Sequence, residues 1–210
     1  MEKKTKDLLD KGEMLPLMEA FYSIQGEGFN TGKPSYFIRV GGCDVGCHWC
    51  DVKESWNAKL HPPTLTDEII KQVEDCPAKS VIVTGGEPLT YNLDYFCSEM
   101  KKRGFLTYLE SSGSNKLSGH WDWITLSPKK NKPPVDELYT VANELKVIIS
   151  DASDFEWAEL NALKVSEHCL LYLQAEWSRA KQMMQQIVDF VLENPRWKIS
   201  LQSHKYMRIP

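Results

Sequence analysis

The sequence predicts an α/β fold built as an incomplete barrel of about six βα units. Six or seven strand-length apolar stretches alternate with segments of helical periodicity, the order that builds a mostly parallel sheet. The 210 residues fall short of the roughly 250 typical of a full eight-unit barrel. A partial, TIM-like barrel fits that length, and an open doubly wound sheet is the alternative. Both architectures place ligand sites at the carboxyl ends of the strands. The unusual motifs fall there: GGC after SYFIRV, GGEP after VIVT, SSG after FLTYLE and SPKK after WITL.

The elements follow in order. A charged segment to about residue 15 is read as a solvated helix and an N-terminal extension (1–15) of a single domain spanning 1–210. Phe21 to Ile24 forms a strand leading into the glycine-rich turn QGEGFNTGKP, and SYFIRV (35–40) is a second strand ended by Gly41-Gly42. Thr66 is read as the N-cap of a helix over DEIIKQVED, and SVIVT (80–84) as a strand buried on both faces. A helix from Asn92 to Arg103 stops at Gly104. Strands are expected at 105–110, 123–126, 144–149, 169–174 and 198–201. Helices are expected over DFEWAELNALK and over 176–193, where Ala180, Met183, Met184, Ile187, Val191 and Leu192 recur at core spacing. QSHKYMRIP reads as a polar tail.

Composition excludes several classes. At 42% hydrophobic content the chain buries one sizeable core, and a net charge of -4 argues against generic nucleic-acid binding. No apolar run approaches the ~20 residues of a membrane span, and the start lacks the apolar segment of a signal peptide. The expectation is a soluble, cytoplasmic protein. Of six cysteines, Cys76, Cys97 and Cys169 stand apart and read as small buried hydrophobes.

Cys43, Cys47 and Cys50 are clustered in a loop after a strand, a spacing suited to a soft metal centre. A structural zinc site wants four ligands, and His48, inside the motif, is a poor fourth. Three thiolates on a 4Fe-4S cluster leave one iron open to a small molecule.

Cys43-x3-Cys47-x2-Cys50, with Trp49 before the third cysteine and GGEP at 85–88, resembles the radical S-adenosylmethionine superfamily. FYSIQGEGFNTGKPSYFIRVGGCDVGCHWCD, together with VIVTGGEP, LESSG, LSPK and LQSHKYMRIP, resembles the 7-carboxy-7-deazaguanine synthase family over nearly the whole chain. The resemblance implies a radical SAM core that converts 6-carboxy-5,6,7,8-tetrahydropterin into 7-carboxy-7-deazaguanine with loss of ammonia. Its implied cofactors are a 4Fe-4S cluster on Cys43, Cys47 and Cys50, S-adenosylmethionine, and Mg2+. It also implies an external electron donor, a homodimer, and no membrane or nucleic-acid partner.

Carried over by resemblance, Trp49, Cys50, Asp51, Gly86, Ser127, Pro128 and Lys129 contact S-adenosylmethionine. Ile24, Gln25, Gly26, Arg39, Thr84, Gln202 and Pro210 contact substrate, with Arg39 forking its carboxylate. Glu110 and His204 are the catalytic candidates, and the C-terminus is expected to reach back into the site. One position departs from the family: Val52 stands where a magnesium-ligating hydroxyl is frequent, and valine offers no oxygen. Asp51 is a substitute candidate. Three rival readings predict different behaviour: an activase placing a glycyl radical on a partner protein, an iron-sulfur sensor or electron carrier, and a zinc-binding interaction module.

Overall fold

The computed structural model describes residues 3–210; the first two residues of the expected extension lie outside it. One nine-stranded sheet carries the described chain, in the order β3-β1-β2-β4-β5-β6-β7-β8-β9. Its strands are β1 (Met14–Ile24), β2 (Pro34–Val40), β3 (Pro63–Leu65), β4 (Ser80–Gly85), β5 (Leu106–Ser111), β6 (Trp123–Leu126), β7 (Glu144–Ile149), β8 (Leu170–Ala175) and β9 (Trp197–Ser200). From β2 to β9 every pairing is parallel. β1 joins antiparallel to β2 on one side and to β3 on the other.

The parallel strands run in chain order with no reversal. A doubly wound sheet needs a switch point where that order reverses, so that alternative is set aside in favour of the incomplete barrel. The helices are α1 (Lys3–Asp10), α2 (Thr66–Glu74), α3 (Asp94–Lys102), α4 (Asp136–Val141), α5 (Ser153–Ala162), α6 (Ala180–Glu193) and α7 (Ser203–Met207). Between β5 and β6 the connection is a loop without a helix.

The core lies between the sheet and its helices. Ile38, Val83, Leu109, Leu126, Val147 and Leu173 are fully buried, and Ile69, Phe96, Met100, Ala158 and Ile187 close over them. This arrangement frees the opposite face of the sheet for polar side chains: Arg39 pairs in register with Thr84, and Glu110 with Thr125.

Several local expectations change. Leu65 occupies the N-cap of α2, and Thr66 begins the helix itself. Its buried hydroxyl donates to the Gly12 carbonyl at 2.7 Å instead of capping, which ties α2 to the turn before β1. The first strand starts at Met14, because β3 supplies it with a second partner. A 3-10 turn, Trp177–Arg179, separates β8 from α6, with the Glu176 side chain accepting from the Ser178 N–H. Leu192, expected in the core, is 77% exposed, since α6 turns Met183 and Ile187 inward. Cys97 and Cys169 are buried, but Cys76 is only half-buried. The polar tail folds into α7, closed by Arg208 in the left-handed conformation (φ 57°). No helix among the described residues is long and apolar enough to cross a membrane.

Candidate active site

A cavity of about 300 Å³ opens at the carboxyl ends of the parallel strands. It gathers motifs from one end of the sequence to the other. Ile24, Gln25, Gly26, Arg39, Thr84, Glu110, Gln202, His204 and Pro210 line it, and so do Cys43, Cys47, Trp49, Cys50, Asp51, Gly86, Ser127 and Lys129. Of the site residues carried over by resemblance, Pro128 alone does not line it. It borders a smaller groove behind the cysteine loop, shared with Cys47, Trp49 and Lys129.

The cysteine loop is pinned from both sides. Gly42 N–H donates to Ser55 O at 2.6 Å and Cys43 N–H to Trp56 O at 3.1 Å. Lys132 pairs with Asp44 at 2.5 Å, and Asn131 donates to Gly46 O at 3.2 Å. The three thiols are free and partly buried, and burial pushes the Cys43 and Cys47 thiols up. Their donor set suits soft iron. Among the described residues no three His, Cys, Asp or Glu side chains gather as they would around one ion; in a cubane cluster each thiolate takes a different iron, which does not ask for that convergence.

The GGEP turn sits directly against this loop. Gly86 N–H donates to Val40 O at 2.9 Å and Glu87 N–H to Gly42 O at 2.8 Å. A Cβ on Gly86 would fall 2.2 Å from Gly42 O and 3.0 Å from the Cys43 Cβ, so only glycine allows this approach. The Glu87 side chain, buried, accepts from Ser111 Oγ (2.6 Å), Leu89 N–H (3.1 Å) and Ser112 N–H (2.8 Å) and Oγ (2.5 Å). One carboxylate thereby locks the loop after β4 to the end of β5. On the far wall Lys129 donates to Ser127 O and Oγ and lies 5.7 Å from the centre of the Trp49 ring. Burial lowers its pKa.

The deeper half is a charged network of which local sequence pattern marks only a part. Lys146 Nζ donates to Glu27 Oε2 at 2.6 Å and to Glu110 Oε2 at 2.9 Å. Gln25 Nε2 donates to Glu110 Oε1 at 3.3 Å and Gln202 Nε2 to Glu27 Oε1 at 3.1 Å. Burial alone would push the Glu27 carboxyl up; Lys146 overrides it and holds it down at about 2. For Glu110 burial wins and the carboxyl stays above its usual range. Burial would strip Lys146 of its proton, but Glu110, Glu27 and Glu144 hold its pKa above the ordinary lysine value.

Glu27, Lys146, Gln174, Glu176 and Trp177 also line the cavity and were not singled out in the sequence. A signal existed for Lys146: it interrupts the apolar strand ELKVII on the same face as Glu144, two residues away. Arg39 reaches the cavity with its Nε bonded to Glu19 Oε1 at 2.6 Å. The C-terminal turn closes over one side. Ser203 N–H and Oγ both donate to Gly26 O at 2.9 Å, Lys205 pairs with Asp51 at 2.9 Å, and Ser23 Oγ donates to Pro210 O at 3.1 Å. Burial lowers the His204 pKa, favouring the neutral imidazole.

An incomplete parallel barrel with three cysteines and a close-packed glycine turn at its mouth is the architecture of a radical S-adenosylmethionine enzyme, and residues 37–138 match the model of the Radical SAM superfamily. Over all 210 residues the chain is 54% identical to the 7-carboxy-7-deazaguanine synthase of Flavobacterium psychrophilum, covering 100% of both chains. It is 46% identical to that of Synechocystis over 92% of this chain and 93% of the relative. The chain belongs to the 7-carboxy-7-deazaguanine synthase family. The crystal structure of QueE from Escherichia coli superposes with a TM-score of 0.81 at 25% identity, covering 97% of this chain and 100% of that one. These full-length matches do not favour the activase reading.

Proposed function

We propose that the chain converts 6-carboxy-5,6,7,8-tetrahydropterin into 7-carboxy-7-deazaguanine with release of ammonia, a step toward queuosine precursors. The observation that carries this reading is the single cavity that joins the three cysteines to the Gln25–Glu110–Lys146–Glu27 network. When bound, a 4Fe-4S cluster on Cys43, Cys47 and Cys50, together with S-adenosylmethionine, supplies the radical chemistry.

The chain's residues do the rest. Trp49, Asp51, Gly86, Ser127 and Lys129 form the wall for S-adenosylmethionine, with Pro128 shaping the turn behind it. Arg39 keeps Nε on Glu19 and offers its terminal nitrogens as a fork for the substrate carboxylate. Gln25, Glu110 and Glu27 present acceptors and donors to the polar edge of the pterin, and Ile24, Gly26, Thr84 and Pro210 complete its outline. Lys146 keeps Glu27 charged. His204, neutral at pH 7, holds or passes a proton at the ring it covers with Gln202. Trp49 and Trp177 exclude water.

Mg2+ in this reading would rest on substrate oxygens and water, because Val52 supplies no oxygen and Asp51 already pairs with Lys205. The chain works as a cytoplasmic homodimer fed by an external electron donor, as its family resemblance implies.

The test is anaerobic reconstitution with iron and sulfide, followed by dithionite, S-adenosylmethionine and 6-carboxytetrahydropterin, with product read by mass spectrometry. Product that vanishes in Cys47→Ala supports the reading. An intact cluster that releases deoxyadenosine without product overturns the pterin as substrate.

A further inference from the structure

Glu144 opens β7, is 1% exposed and does not line the cavity; above it enters only as one of the charges that keep Lys146 protonated. Its Oε2 accepts the Phe29 N–H at 3.0 Å. Its Oε1 is buried without a hydrogen-bond partner and lies against Gly28, where an added Cβ would stand 2.0 Å from it. Gly28 has φ +62°, so the turn is folded onto this carboxylate by a backbone conformation that glycine adopts without cost.

The same turn is held at two further points. Gly28 N–H donates to Ser200 Oγ at 2.9 Å, and the Phe29 ring stacks on Trp123 at 4.8 Å. Immediately before it in sequence stand Gln25 and Glu27, whose side chains reach Glu110 and Lys146.

We infer that Glu144 is a positioning residue for the pterin pocket: its carboxylate anchors the Gly28–Phe29 turn and, through it, sets Gln25 and Glu27 against Glu110 and Lys146. The inference rests on the pterin reading for its effect on turnover, but the anchor itself does not. The charged and titratable groups that act on Glu144 are Lys146 on its own strand, Glu110 on β5, and Tyr172 and Cys169 at β8. Burial, opposed by Lys146, raises its pKa to about 7, so its charge changes within the working range of pH. A charged carboxylate holds an amide N–H more strongly than a neutral oxygen does.

The experiment compares wild type, Glu144→Ala and Glu144→Gln as reconstituted holoenzymes. The first readout is hydrogen exchange over residues 25–30. Glu144→Ala is expected to speed exchange there while β4, β5 and β8 stay protected; unchanged exchange in that segment overturns the anchor whether or not the pterin turns over. The second readout is kinetic. Glu144→Ala is expected to raise KM for the pterin by about tenfold with the affinity for S-adenosylmethionine unchanged. Glu144→Gln, which keeps an acceptor for Phe29, is expected to stay near wild type below pH 6 and to show a roughly threefold higher KM above pH 7. Equal loss of pterin and S-adenosylmethionine affinity, or a Glu144→Gln effect independent of pH, overturns the positioning role. A wild type that makes no product while Glu144→Ala still loosens residues 25–30 withdraws the pterin reading and keeps the anchor.

Discussion

Lys146 and Glu27 are 119 positions apart in sequence and 2.6 Å apart in the structure, inside a cavity where neither charge is well solvated. Breaking a buried pair by removing one partner costs about 3 kcal/mol or more, because the other charge is left uncompensated. Lys146→Met leaves both Glu27 and Glu110 without their cation. It is expected to lower the unfolding free energy by about 3 kcal/mol at pH 7, measured by denaturant titration. A loss below 1 kcal/mol would mean that water reaches the pair.

The same contact sets an acid dependence. Glu27 is held at about 2 in the fold against 4.5 unperturbed, so its contribution is present above pH 4.5 and lost as pH falls toward 2. Integrated over that window it amounts to about 3 kcal/mol. Glu27→Gln is expected to flatten this part of the stability profile; an unchanged acid limb would show that Lys146 does not hold Glu27 down.

Glu144 titrates with the opposite sign. Its carboxyl stands at about 7 in the fold against 4.5, so its stabilising contribution is complete below pH 4.5 and drains away as pH rises through 7. Relative to wild type, Glu144→Gln should gain about 3 kcal/mol across that window. Parallel stability profiles for the two proteins would contradict the raised value.

Gly86→Ala puts a methyl group 2.2 Å from Gly42 O and 3.0 Å from the Cys43 Cβ. Backbone on both sides must move, and the cysteine loop moves with it. The variant is expected to retain roughly a third of the wild-type iron after reconstitution, measured as iron and sulfide per chain. Full iron content would show that the loop tolerates the shift.

Val52 lines the cavity beside Cys50 and Asp51 and brings no oxygen to a hard cation. Val52→Thr is expected to make turnover more responsive to added magnesium than wild type. Equal stimulation in both proteins would detach the cation from this position.

Strand positions were legible where burial is continuous. SVIVT, WITL and ELKVII are mainly apolar runs with one face packed under helices, and the observed strands agree with them to within a residue. The short edge strand β3 carries Pro63 in three residues and has no pattern to read. The turn α7 leaves no local signal because QSHKYMRIP has no apolar period; its shape comes from Ser203 bonding to Gly26 across the fold. In the site, local spacing exposed the cysteines and the glycine turn, while the Glu27–Lys146–Glu110 network depends on tertiary pairing that no local pattern reports. The role of Glu87 is hidden for the same reason, since its partners Ser111 and Ser112 lie at and just beyond the end of the next strand.

The most direct measurement of the central claim is the product balance of the wild-type holoenzyme supplied with 6-carboxytetrahydropterin, S-adenosylmethionine and a reductant. The account predicts 7-carboxy-7-deazaguanine and ammonia in equal amounts, both absent when Cys47→Ala replaces the wild type. A fully loaded cluster that yields neither product from this pterin would contradict it.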